Sequence, residues 1–281
     1  MNIKQALEYG IKLLRENNID EPILKVRIIL SCILNKSKEY LMVHELEEID
    51  ENLVKVFKEH ISKLCKYIPI QYITNKQEFM GLEFYVNENV LIPQPDTEIL
   101  VEEVIDIAKK NDKTKILDLC TGSGAIGIAI TKNIENCEIT LSDISNDALE
   151  VAKYNCINNK VENKIRIIQS DLFENIKDEF DIIVSNPPYI KSDVIKTLDK
   201  EVQNEPLLAL DGGKDGLDIY RKIIEQAYKY LNKDGYLCLE IGYDQKEEVI
   251  KLIEETNQYQ EIYSKKDLAG NDRIVVCKKE N

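Results

Sequence analysis

The segment Ser185-Asn-Pro-Pro-Tyr-Ile190 closes a run, DEFDIIV, that reads as a short buried strand ending on Val184 and Ser185. Two consecutive prolines cannot donate to a sheet ladder and fix φ twice, so the strand stops there. One proline or a glycine would be enough for that. The sequence instead presents an Asn side chain, a rigid Pro-Pro carbonyl and a Tyr ring at one strand end. An amino group conjugated to a carbonyl or a ring is a poor nucleophile, because its lone pair is delocalised. The Asn186 side-chain oxygen and the Pro187 carbonyl are two acceptors able to hold both N–H hydrogens of such a group. Holding both aims the lone pair at a methyl donor, and the proline ring keeps the carbonyl from drifting. Tyr189 supplies a flat face for a planar substrate. The bland alternative is a strand terminator with an Asn turn. Adenine N6, cytosine N4, guanine N2 and a glutamine amide all present the same –NH2, so N-P-P-Y alone does not choose among them.

A second strand ends in Asp118-Leu-Cys-Thr-Gly-Ser-Gly-Ala-Ile-Gly127. Gly122, Gly124 and Gly127 fit G-x-G-x-x-G between a strand and a helix, and Asp143 ends the next strand 19 residues after Gly124. Glycines let the backbone approach a ligand, and an acid at that distance accepts from ribose hydroxyls. A dinucleotide and S-adenosylmethionine (SAM) both suit the spacing. A pyrophosphate would be repelled by Asp118, four residues before the first glycine, whereas SAM carries a cationic sulfonium and an amino group. Asp171, ending a third strand, adds an acceptor for an adenine amino group. Asp118, Asp143 and Asp171 at successive strand ends make SAM the preferred ligand, with Asn186 beside it.

The elements that must hold these residues are legible as alternation. KILDLC, EITLSD, IRIIQSD, FDIIVSN and GYLCLEIG are β-rich runs separated by helical segments, and YQEIYSKKD and RIVVCKK close the chain as an antiparallel end. This pattern predicts an α/β fold, a mostly parallel Rossmann-like sheet with helices on both faces and ligands at the carboxyl strand ends. Before it, residues 1 to about 66 read as helices: Ile3, Leu7, Ile11 and Leu14 keep i, i+3/i+4 spacing, and PILKVRIILSCIL follows Pro22 as a buried helix. Between 67 and 93, Tyr72, Phe79, Leu82, Phe84 and Val86 around Gly81 suggest a hairpin bridging two domains. The division expected is 1–75 helical, 76–93 hairpin linker and 94–281 catalytic.

Composition narrows the classes. The net charge is −14, and all of it lies beyond residue 75, where 26 Lys+Arg face 40 Asp+Glu. Polyanion binding neutralises phosphates with Lys and Arg, so an acidic catalytic part argues against a nucleic acid partner. Seven cysteines form no C-x-x-C pair, and His44 and His60 stand apart from carboxylate clusters, so metal-free chemistry is expected. No apolar run approaches a membrane span and the first residues lack a signal-peptide core, which reads as a cytoplasmic protein without membrane contact.

At this point the sequence resembles the bacterial release-factor glutamine methyltransferases, the family also called HemK or PrmC. The likeness runs over essentially the whole chain and includes PIQYITNKQEFMGLEFYVNENVLIPQPDTEILVE (69–102), ILDLCTGSGAIGIAI (116–130), SNPPYI (185–190) and EPLLALDGGKDGLDIYRKII (205–224). The resemblance implies a helical substrate-recognition domain, a hairpin linker and a SAM-dependent domain that methylates N5 of the Gln in the Gly-Gly-Gln motif of class I peptide chain release factors. It places the cofactor turn on Cys120, Thr121, Gly122, Ser123 and Gly124, the ribose acid on Asp143, a contact near adenine on Leu172, and the substrate clamp on Asn186, Pro187, Pro188 and Tyr189. A monomer is expected. Two positions depart from the family pattern: Cys120 replaces the usual Gly, and Gln94 replaces the Arg of I-P-R-P. The alternative enzyme is a SAM-dependent amino-methyltransferase of nucleic acid, which would need a basic surface and a means of extracting the base. An NAD-dependent oxidoreductase leaves N-P-P-Y unexplained, and intact Asn186 argues against a non-catalytic adaptor.

Overall fold

The computed structural model describes residues 1–110 and 114–280. Contacts divide the chain into two units, residues 1–76 with 199–204, and residues 77–198 with 205 onward.

The smaller unit holds α1 (Ile3–Glu16), α2 (Pro22–Leu34), α3 (Lys38–Val43), α4 (Glu51–Leu64) and α5 (Ile70–Thr74). Asn2 opens α1 with a capping box: its side chain accepts from the Gln5 N–H at 2.9 Å, and the Gln5 side chain accepts from the Asn2 N–H at 3.0 Å. Ile3 and Leu14 are buried as the spacing predicts, with Val26, Ile29, Phe57 and Ile61. Leu7 and Ile11 pack at the edge of the same cluster. One expectation needs correcting. Tyr72 lies in α5 and not in a hairpin, because Pro69 starts a helical turn that Asn75 ends at φ +54°.

The hairpin itself is short: β1 (Gln77–Phe79) and β2 (Leu82–Phe84) pair antiparallel, and no strand continues to Pro93. Phe79 and Phe84 are buried in the core of the larger unit, so the hairpin packs as part of it. The rest of that unit alternates: α6 (Glu98–Ala108), β3 (Thr114–Leu119), α7 (Ala125–Asn133), β4 (Cys137–Asp143), α8 (Asn146–Asn158), β5 (Ile165–Gln169), β6 (Phe180–Ser185), α9 (Leu207–Leu210), α10 (Asp218–Ala227), β7 (Leu231–Glu240), α11 (Lys246–Thr256), β8 (Tyr259–Lys266) and β9 (Asp272–Lys279).

The seven strands run in the order β5-β4-β3-β6-β7-β9-β8. The first five are parallel, and β9 enters antiparallel between β7 and β8. Strand residues alternate between two cores. Ile116, Ile182, Val184, Cys238 and Val276 join α6 and α7 on one face; Leu117, Leu119, Ile183, Leu239 and Val275 join α10 and α11 on the other. Burial on both faces is what a parallel sheet flanked by helices demands. The chain builds outward from β3 to β5, then returns to place β6 on the other side of β3. The crevice at the carboxyl ends of β3 and β6 is thus the switch point where such sheets bind ligands. No helix among the described residues is long and apolar enough to cross a membrane.

Candidate active site

After β3 the backbone passes through left-handed conformations at Cys120 (φ +57°), Gly122 (+53°) and Gly124 (+81°) before α7 begins. At Cys120 this conformation costs roughly 1–2 kcal/mol that Gly would not incur. The left-handed turn that a glycine would adopt freely is held here by a cysteine. Burial, with Asp143 next in effect, pushes the Cys120 thiol well up, so it stays neutral.

Asp143 ties two turns together. Its Oδ2 accepts from the Gly122 N–H and its Oδ1 from the Ser145 N–H, each at 2.9 Å. Burial raises its pKa, and the Ser145, Gly122 and Ile144 backbone donors pull it back. Each carboxylate oxygen retains a lone pair for a further donor. Asn155, fully buried on α8, donates to the Ser123 carbonyl at 2.9 Å and to the Tyr85 carbonyl at 3.0 Å, and accepts from the Tyr85 N–H at 2.7 Å. The turn is therefore held from both sides.

Asp118 departs from expectation. It is fully buried beneath α7, where its Oδ2 accepts from Thr121 Oγ1 at 2.6 Å and the Gly127 N–H at 3.0 Å. It shares a sheet face with Ile116, so it points under the helix and satisfies one of the otherwise unpaired N–H groups of the first turn. Burial pushes its carboxyl up to about 7.

Just after β6, Asn186 Nδ2 donates to Thr97 Oγ1 at 3.2 Å, which leaves Oδ1 as the acceptor of that amide. Pro187 is buried and Pro188 half-buried. Tyr189 also departs from expectation. Its hydroxyl donates to Glu240 Oε1 at 3.4 Å and its ring packs against the core beside α10, away from the cavity. Burial, then Glu240, raises its pKa. The chain around Tyr189 is pinned by the D-G-G-K-D-G stretch. A Cβ at Gly212 would fall 2.7 Å from Tyr189 Cα and one at Gly216 2.4 Å from Tyr189 O, so both positions need glycine for close approach. Gln245 Nε2 donates to the same Tyr189 carbonyl at 2.9 Å.

Part of this set surrounds a cavity of about 760 Å³. Cys120, Thr121, Gly122, Ser123, Asp143, Asp171, Leu172, Asn186 and Pro188 line it, whereas Asp118, Gly124, Pro187 and Tyr189 do not. Gly124 is packed instead, with Ile128, Ala152 and Leu141 around its Cβ position. The size lies within the range of small-molecule sites. Sequence reading missed Thr97, which lies on the wall, and Glu240, which lies behind it. Thr97 sits in the quoted Q-P-D-T-E stretch, but nothing in the spacing linked it to a residue 89 positions away.

Two families match the chain, the PrmC N-terminal domain over residues 5–74 and the Methyltransferase small domain over residues 94–205. Among solved structures, the hMettl16 catalytic domain in complex with MAT2A 3'UTR hairpin 6 superposes with a TM-score of 0.61 at 14% identity, covering 75% of this chain and 81% of that one. The ribosomal protein L11 methylase from Lactobacillus delbrueckii subsp. bulgaricus gives 0.51 at 22% identity, covering 67% and 81%. At such identities the likeness speaks for the fold alone. Curated relatives are nearer in sequence. The release factor glutamine methyltransferase of Clostridium acetobutylicum is 42% identical over 99% of this chain and 98% of its own. That of Clostridium botulinum is 38% identical over 99% and 100%. With identity of this degree along nearly the full length of both chains, the protein belongs to the release factor glutamine methyltransferase family.

Proposed function

We propose that this protein transfers a methyl group from SAM to the N5 amide nitrogen of the glutamine in the Gly-Gly-Gln motif of class I peptide chain release factors. The observation that carries the reading is the meeting of the glycine turn after β3 and the Asn186 amide after β6 around one cavity at the sheet's switch point. The residues fit the cofactor. Gly122 has no atom within 4 Å of its Cβ position, so ligand can approach the backbone there. Asp143 has lone pairs left for ribose hydroxyls, and Asp171 stands exposed on the wall beside Leu172 for the adenine. When bound, SAM supplies a methyl made electrophilic by a sulfonium. The chain's own contribution is orientation: Asn186 Oδ1 on the cavity wall takes one hydrogen of the glutamine –NH2, the Pro187 carbonyl, set back from that wall, takes the other, and Pro188 walls the site. Tyr189, turned to Glu240, supports the clamp from behind.

The helical residues 1–75 serve in this reading as the recognition domain, 76–93 as the linker and 94–281 as the catalytic domain, acting in the cytoplasm on a protein substrate. The acidic balance beyond residue 75 favours protein over nucleic acid. The test is incubation with SAM and a purified, unmethylated release factor, followed by mass spectrometry. One added methyl on the Gly-Gly-Gln glutamine is expected. Methylation of an adenine in added nucleic acid, with that glutamine untouched, would overturn the reading.

A further inference from the structure

Asn186 can serve as an acceptor for an amide –NH2 only if its own amide stands with Oδ1 toward the substrate and Nδ2 away from it. A side-chain amide has nearly the same shape in either orientation, so a neighbouring hydrogen bond must choose. Thr97 Oγ1 is the partner found, accepting from Asn186 Nδ2 at 3.2 Å. A threonine hydroxyl has one proton, and it accepts reliably only when that proton is engaged elsewhere. Behind Thr97 stands Glu240, buried to 2% exposure at the end of β7. Its Oε1 accepts from the Tyr189 hydroxyl at 3.4 Å, whereas Oε2 has no hydrogen-bond partner among the described residues. The Thr97 hydroxyl is the leading group that stabilises the Glu240 charge, ahead of Arg273. Thr97 thus stands between the buried Glu240 carboxyl and the Asn186 amide, with Asn186 Nδ2 donating to its Oγ1.

We infer that Thr97 is a positioning residue for methyl transfer, fixed beside the buried Glu240 side chain so that it receives Asn186 Nδ2 and leaves Asn186 Oδ1 to the substrate nitrogen. This rests on the glutamine reading above. A rotated Asn186 would present N–H to N–H, a repulsive contact in place of an acceptor. The element that carries Thr97 is itself fixed: Arg273 on β9 pairs with Asp96 at 3.0 Å, one residue before Thr97. The Pro95–Thr97 turn thus contacts the amide at the β6 end directly, with the β7 end and β9 behind it.

The test compares Thr97→Val, which keeps the shape and removes the hydroxyl, with Thr97→Ser, which keeps the hydroxyl. Methyl transfer to intact release factor, SAM affinity by calorimetry and Tm are measured for each. Thr97→Val is expected to lower kcat roughly ten- to hundredfold, the range for a misoriented group at a reacting centre, with SAM affinity close to the parent and Tm lowered by a few degrees through the unpaired Asn186 amide. Thr97→Ser should recover most of the loss. Added to Asn186→Ala, Thr97→Val should cause no further loss, since it acts through that amide. Parental kcat in Thr97→Val, or losses that multiply in the double variant, would overturn the role of Thr97 alone. Failure of the parent to methylate the release factor, with SAM bound, would overturn the glutamine reading and this inference with it.

Discussion

Gly127 tests what the third glycine of the cofactor turn is for. Replacing it with Ala places a Cβ 2.3 Å from Leu141 Cδ2, 3.0 Å from Ile139 Cγ2 and 3.2 Å from Asp118 Oδ2. Leu141 and Ile139 are buried on β4 and Asp118 is fully enclosed, so none can swing into solvent. Relief must come from moving α7 off the sheet or forcing Leu141 from its rotamer, an overpacking cost of about 2–3 kcal/mol for so close a contact. Ala gains about 1 kcal/mol over Gly inside a helix, which offsets part of this. A net loss of about 1–2 kcal/mol is expected, or roughly 3–6 °C in Tm for a unit of this size. Gly122→Ala is the contrast. Its Cβ meets nothing within 4 Å, but φ is +53° and the position lines the cavity. That variant should lose roughly 1–2 kcal/mol to the left-handed conformation and, unlike Gly127→Ala, much of its SAM affinity. Scanning calorimetry and SAM titration on both variants separate the two effects. A Gly127→Ala protein with parental or higher Tm, or one whose SAM affinity falls as far as that of Gly122→Ala, would refute helix–strand packing as the role of Gly127.

Asn186→Ala should reduce turnover roughly 10²-fold while SAM affinity changes little, as for a contact that matters most in the transition state; single-turnover assays with parental rates would count against the clamp. Asp143→Ala should weaken SAM binding by about 1–3 kcal/mol, since it leaves donors unpaired, and calorimetry showing unchanged affinity would remove Asp143 from the site. An isolated Gly-Gly-Gln peptide should be a far poorer substrate than the intact factor; equal kcat/KM would show that recognition stops at the loop. Burial raises Glu240 from 4.5 to about 7, against the opposing pull of Thr97 and Arg273 and with Asp96 adding to the rise. The folded protein therefore holds that proton more tightly than the unfolded chain, so this group's contribution falls as pH rises from about 4.5 through 7 and is flat above. In urea unfolding, the stability difference between parent and Glu240→Gln should change by about 3 kcal/mol between pH 4 and 8. Parallel curves would show that Glu240 does not titrate in this way.

How much of the site was legible depended on whether the signal was local. The cofactor turn, Asp143, Asp171 and Asn186 could be located because each adjoins a strand end, and strands that alternate with helices put their carboxyl ends on one side. The antiparallel close of the chain was likewise written in two adjacent β-rich runs. Asp118 was found at the right strand end but assigned to the wrong side of it: period-two alternation turns it under α7, where a helix N–H takes the carboxylate. Tyr72 misled because an aromatic beside Pro69 suits a strand or a short helical turn equally, and packing in the helical unit chose the turn. Tyr189 sits at the expected place, yet its direction follows from Glu240 and from the backbone of the D-G-G segment, both far away in sequence. Sequence by itself determined the order of elements, the ligand turn and the amide at the β6 end, since these are backbone preferences and hydrophobic periods carried by neighbouring residues. Only the tertiary structure decided which way those side chains point, because hydrogen bonds such as Asn186 to Thr97 form between segments that share no local pattern and meet only when β6, β7 and β9 lie side by side in one sheet.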